Sequence, residues 1–134
     1  MKKKEVSAKY EEAWENFKQG KLEEAEECFA EVIPHVKAES WRASDLYHEY
    51  ALVLRGLKKF GDAERYERMA LNVAVEHNEV TSVVVTFARF TLGETLFCQN
   101  RFSEALEEIG RSIGIGAKQE WLLHFLKAKV LLKQ

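Results

Sequence analysis

Three stretches of this chain repeat one pattern, and that repetition limits the fold more tightly than any other feature. They are Phe17-Lys18-Gln19-Gly20-Lys21-Leu22-Glu23-Glu24-Ala25, Arg55-Gly56-Leu57-Lys58-Lys59-Phe60-Gly61-Asp62-Ala63 and Phe97-Cys98-Gln99-Asn100-Arg101-Phe102-Ser103-Glu104-Ala105. Each ends a periodic apolar segment with small or polar residues, then sets a large apolar residue three positions before an alanine. The alanines lie 38 and 42 residues apart, and small residues recur in step at Ala13, Ala51 and Gly93. Ala128 fits a fourth such position near the chain's end. Self-similarity at this period marks stacked supersecondary units, each unable to bury its apolar face alone.

The units read as helix pairs. One proline and seven glycines in 134 residues leave little room for turns, which favours long helices. Tyr10, Ala13, Trp14 and Phe17 follow helical spacing, and Gly20 stops that helix. Leu22, Ala25, Phe29, Val32, Ile33 and Val36 form a second stripe, with a kink or stop expected at Pro34. A third helix is expected from Ser40, an N-cap residue type, through Tyr47, Tyr50, Ala51 and Leu54. The fourth starts near Phe60 and ends around Asn78. The fifth covers Val80 to Gln99, although Val80, Val83, Val84, Val85 and Thr86 have strand propensity; the repeat overrides that weak local preference. The sixth starts at Phe102, carries Ala105, Ile109 and Ile113 inward, and frays at Gly110, Gly114 and Gly116. A seventh runs from about Gln119 to Gln134.

Antiparallel helices approach closely where a small residue faces a large one. Ala13 with Ala25, Ala51 with Ala63, and Gly93 with Ala105 supply those contacts. Stacked pairs then share a continuous core, which predicts an all-α, right-handed superhelix of about seven antiparallel helices. Length and mass, 134 residues and 15.5 kDa, suit one domain over residues 1–134. Its repeats fall at about 7–37, 40–78 and 80–117, with an unpaired C-terminal helix at 119–134.

The pattern resembles the tetratricopeptide repeat (TPR) family. The likeness rests on Ala13, Gly20, Ala25 and Phe29, then on Tyr47, Ala51, Leu54, Phe60, Ala63 and Ala70, and then on Leu92, Gly93, Leu96, Phe102 and Ala105. Intervals of 38 and 42 residues exceed the usual spacing of about 34 and look like the family's longer-helix variants. Two departures stand out. Glu67 occupies a position where the family packs a bulky residue, and only the first repeat has a proline near its end. Looser packing is therefore expected in the second and third pairs.

The resemblance implies a protein-interaction module whose first helices line a concave, peptide-binding surface. Carried onto this chain, that surface takes Tyr10, Trp14 and Phe17 from the first repeat and His48, Leu52 and Arg55 from the second. Phe90, Glu94 and Phe97 come from the third, and Phe125 and Lys129 from the last helix. Aromatic side chains offer large contact area for little lost rotamer freedom. The same stripe could equally be packing, and both readings stay open here. Family members that clamp acidic chaperone tails need Lys, Asn and Arg on these faces. Tyr10, Trp14, Leu52 and Phe90 stand there instead, which argues against that activity.

Other chemistries find little support. His35, His48, His77 and His124 lack metal-ligand spacing and read as surface or cap residues. His48-Glu49 lacks the second histidine of a zincin motif. The glycines at 110, 114 and 116 follow a helix, whereas a phosphate cradle precedes one. No catalytic residue, metal or cofactor is expected. Twenty basic against 22 acidic residues, a net charge of −2, argue against nucleic-acid and acidic-membrane partners. Cys28 and Cys98 lie in apolar patterns and read as buried thiols of a reducing, cytoplasmic protein. A partner-binding adaptor is the first functional expectation. The alternatives are self-association as a homodimer through the apolar segment Trp121 to Leu132, and a regulatory or sensing module of a larger assembly.

Overall fold

A computed structural model describes residues 2–37, 41–78 and 82–112, with no account of the side chains at 41, 42 and 112. Among them are six α-helices and no strand: α1 (Lys3–Lys18), α2 (Leu22–Val32), α3 (Trp41–Gly56), α4 (Phe60–His77), α5 (Val83–Cys98) and α6 (Phe102–Ser112). A 3-10 turn, Ile33–His35, follows α2 and holds Pro34, so the helix stops where the missing donor requires. The helices pack as consecutive pairs, α1 with α2, α3 with α4 and α5 with α6, and α4 then meets α5.

The valine-rich segment is helical. Ser82 caps it, its side-chain oxygen accepting from the Val85 N–H at 3.3 Å, while the Thr86 hydroxyl donates back to the Ser82 carbonyl at 2.9 Å. With the first orphan donor satisfied, burial of Val85, Ala88, Leu92 and Leu96 outweighs strand propensity. Gly110 does not fray the sixth helix: α6 runs through it to Ser112, with Gly110 exposed and open space where a Cβ would sit. The expected cap Ser40, the glycines at 114 and 116, Ile113 and the whole helix at 119–134 lie outside the described residues.

The small residues at matched positions are buried at every pair, Ala13, Ala25, Ala51, Ala63 and Ala105 completely so. Gly93 shows why: a Cβ there would lie 3.0 Å from Ile109 Cγ1 and 3.6 Å from the Ala105 carbonyl oxygen. Among the described residues the core has three parts. One surrounds Phe29 with Ala13, Ala25, Leu46, Tyr50 and Leu54. A second joins Leu71 and Ala74 to Val85, Leu92, Leu96 and Ile109. A third links Ala43 and Tyr47 to Ala70 and Val73. Between them Ser44 donates to the Ala70 carbonyl at 3.0 Å, pinning α3 to α4.

The second repeat does not leave a gap at Glu67. Four residues after each alanine stand Phe29, Glu67 and Ile109, and all three are buried. One carboxylate oxygen, Oε2, accepts from Thr95 of the neighbouring repeat, while Oε1 has no hydrogen-bond donor among the described residues.

Candidate functional site

Helices α1, α3 and α5 lie side by side through one face. The Tyr10 hydroxyl of α1 donates to both Glu49 oxygens of α3, at 2.7 and 3.0 Å. His48 of α3 meets Phe87 of α5 edge-on, ring centroids 4.9 Å apart. Arg55 of α3 reaches Glu94 of α5 at 3.7 Å.

The nine described members of the expected binding surface, Tyr10, Trp14, Phe17, His48, Leu52, Arg55, Phe90, Glu94 and Phe97, are each half-buried. Phe125 and Lys129 lie outside the described residues, as does the segment Trp121 to Leu132. The rings have one side on the core. Trp14 meets Phe17 and Phe29 edge-on at 5.5 and 6.2 Å, and Tyr10 meets Phe29 at 6.2 Å. Phe97 packs on Phe102 at 5.7 Å, and Phe90 rests on the α5–α6 core. The stripe thus both packs and shows surface.

Neighbours missed in the sequence complete the face. Asp45 stands three residues before His48, and Phe87 three before Phe90. Extending each stripe by one helical turn finds both. Phe87 is 50% exposed, which is unusual for so large an apolar side chain. Glu49 and Asp45, with Tyr10, Ser7, Lys3 and Lys37, line a cleft of about 680 Å³ between α1, the 3-10 turn and α3. A smaller cleft of about 410 Å³ opens beside Ser44, Asp45, His77, Asn78 and Val84.

The face has its own electrostatics. Burial pushes the Tyr10 phenol up to about 12, and its bond to Glu49 adds to this. Burial also raises Glu49, Tyr10's hydrogen bond opposing and Asp45's charge reinforcing. His48 is half-buried rather than a surface residue, and burial followed by the Arg55 charge lowers its proton affinity. Behind the face, Thr95 donates to Glu67 Oε2 at 2.7 Å and Arg55 Nη2 stands 3.8 Å from Oε1. Arg55 therefore serves two carboxylates, Glu67 and Glu94, and is less available than an exposed arginine. Among the described residues no group of three or more His, Cys, Asp or Glu could hold a metal ion. No helix among them is long and apolar enough to cross a membrane.

A solved structure from Podosopora anserina, described as nearly identical TPR-like repeats of a kinesin light chain, superposes with a TM-score of 0.80 at 14% identity. The fold is a TPR-like helical solenoid. The superposition covers 94% of this chain and 65% of the other, so the chain spans under two-thirds of the structure it resembles. No protein-family model matches the sequence, and no curated protein matches it.

Proposed function

We propose that this chain is a non-enzymatic protein-interaction module that receives a peptide or extended partner segment on the concave face of α1, α3 and α5. The repeat units at about 7–37, 40–78 and 80–117, with a further helix at 119–134, belong to the same proposal. TPR-like folds generally mediate protein–protein contacts, which supports the class. The observation that carries the reading is the uniform half-burial of nine side chains along three adjacent helices. Rings fixed on the core by one side lose little further freedom when a partner covers the other.

Phe87→Asp and Leu52→Asp test it: Phe87 is half exposed and Leu52 belongs to none of the three core clusters, whereas Trp14 packs on Phe29 and Phe90 on the α5–α6 core. Partners are captured from the native cell and identified by mass spectrometry. A variant with unchanged helical circular dichroism and melting temperature is expected to lose partners that wild type retains. Identical partners at identical yield for both folded variants would overturn the reading.

A further inference from the structure

The two junctions between helix pairs are built from matched positions. On its outgoing side the first pair presents Tyr10, Leu22, Glu26 and Phe29. Tyr10 reaches Glu49, Leu22 lies against Gly56, Glu26 pairs with Lys59 and Phe29 meets Tyr50. The second pair presents His48, Phe60, Glu64 and Glu67 at the same positions. His48 meets Phe87, Glu64 pairs with Arg101 and Glu67 accepts from Thr95. In the third pair these positions hold Phe90, Phe102, Leu106 and Ile109. No polar side chain remains in that set, and Phe90, Phe102 and Leu106 rest half-buried on the α5–α6 core. Solenoids end on a polar face, so the outgoing side of α5–α6 is shaped to be covered.

The incoming side decides what covers it. Each first helix meets the preceding pair through four positions, Leu46, Glu49, Tyr50 and Val53 on α3, then Ala88, Thr91, Leu92 and Thr95 on α5. On α1, which no described pair precedes, the same positions hold Ala8, Glu11, Glu12 and Glu15, all exposed. In residues 119–134, with Ala128 in step with Ala13, Ala51 and Gly93, they fall on Leu123, Leu126, Lys127 and Val130. That set matches α3 and α5, not α1. The junction centres agree in kind as well. Phe29 and Val53 share an apolar cluster, Glu67 and Thr95 share a hydrogen bond, and Ile109 has Val130 as its counterpart. Lys127 departs from the pattern; a lysine stem can cover apolar surface while its ammonium stays in water. A second copy's α1 fits poorly, because it would bring three carboxylates onto Phe90, Leu106 and Ile109 and strip them of water. Reach allows closure within one chain. Six residues separate Ser112 from Gln119, against eight and five at the earlier junctions.

We propose that residues 119–134 fold back as a fourth first helix and close the α5–α6 face of their own chain, with Leu126 on Phe90 and Val130 on Ile109. The proposal rests on the repeat units set out above and specifies the contact that the last of them makes. Docked in this way, Phe125 and Lys129 continue the stripe of Phe90 and Glu94 along the inner face. The apolar segment Trp121 to Leu132 is then engaged within the chain rather than on a second copy.

The experiment links the two sides of the proposed contact. Phe90→Cys/Leu126→Cys is made in a Cys28→Ala/Cys98→Ala background and oxidised at several protein concentrations, and the cross-linked peptides are identified by mass spectrometry. The expected product is an intramolecular disulfide in monomers, at a yield independent of concentration. A disulfide between two copies, falling with dilution, makes the occupant a second copy and overturns the proposal. So does the absence of any disulfide in a chain that keeps wild-type helicity. Where the cysteine variant does not fold, amide exchange of the otherwise native chain decides. The amides of residues 123–132 are expected to be protected, and Leu106→Glu to speed their exchange about tenfold while α1 and α2 keep their protection. Wild-type amides that exchange at unprotected rates refute both the fourth helix and its docking. Protection that Leu106→Glu leaves unchanged keeps the helix and refutes the docking. Each of these failures leaves the groove on α1, α3 and α5 standing, because that reading is decided by partner capture with Phe87→Asp and Leu52→Asp.

Discussion

Glu67 shows how one side chain can set the chemistry of a repeat junction. Its carboxyl is 1% exposed, on α4 of the second pair, and its partners Thr95 and Arg55 come from α5 and α3. Burial pushes its pKa from 4.5 to about 7, with Thr95's hydrogen bond and Arg55's charge opposing and Glu94's charge reinforcing. The folded chain thus holds this proton more tightly than the unfolded chain does. The stability Glu67 contributes is complete below 4.5 and is lost as pH rises through about 7. Such a shift corresponds to on the order of 3 kcal/mol. Denaturant unfolding of wild type and Glu67→Gln across that window is the check. Wild type is expected to lose stability relative to the glutamine variant as pH rises, and equal slopes would contradict the assignment. The amide can still accept from Thr95, so the comparison isolates the charge. Periodicity alone marked Glu67 as an interruption in a bulky position. Its rescue by Thr95, 28 residues away, could not be read from local pattern.

The three turns within the helix pairs share one backbone geometry. Gly20, Lys58 and Asn100, each five residues before the repeat's alanine, have φ of 77°, 63° and 61°. The following N–H bonds back five residues each time, Lys21 to Asn16, Lys59 to Leu54 and Arg101 to Leu96, at 2.8–3.0 Å. This is the Schellman helix stop, which favours glycine at the left-handed position. Lysine pays a steric cost there that glycine avoids. Lys58→Gly is therefore expected to stabilise the chain by up to about 1 kcal/mol, the gain reduced by the greater unfolded-state freedom of glycine. Gly20→Ala is expected to destabilise it by about 1 kcal/mol through backbone strain alone, since nothing lies within 4 Å of a Cβ at Gly20. Thermal melts of both variants decide the point; shifts of the same sign would refute a shared turn. At this scale the sequence is highly legible. The apolar stripes located α1 to α6, and Gly20 and Pro34 marked two of the stops. The Lys58 turn was visible only by alignment with its sister repeats, because no residue type there signals a left-handed backbone. The long-range partners on the inner face were not visible at all. Helical spacing assigns a residue to a face, but the Tyr10–Glu49 and His48–Phe87 contacts depend on how neighbouring pairs stack.

Across the whole molecule, consecutive pairs are joined by a recurring ion pair at matched positions. Lys59 meets Glu26 at 2.8 Å, and Arg101 meets Glu64; each cation stands four residues before its repeat's alanine and each anion one residue after the preceding one. Partly exposed pairs of this kind contribute little stability, typically below about 1 kcal/mol, so their value lies in register. The pattern stops at the third repeat, where Leu106 takes the anion's place and packs on the core. Stability itself resides in the apolar clusters, and these are local. The cluster around Phe29 draws on α1 to α4 and includes no residue of α5 or α6, whereas the Leu92 cluster joins α5 and α6 to the end of α4. A solenoid of this kind behaves as coupled neighbours rather than one indivisible core. Leu92→Ala, which empties a fully buried site, is expected to cost about 2–5 kcal/mol. Its increase in amide hydrogen exchange should concentrate in α5, α6 and the C-terminal part of α4 while α1 and α2 stay protected. Phe29→Ala should give the mirror image, with α1, α2 and α3 exposed first and α6 least affected. Uniform acceleration along the chain in both variants would mean that the clusters unfold as one unit. The stacked-pair account predicts two opposite gradients, because each helix reaches only its immediate neighbours.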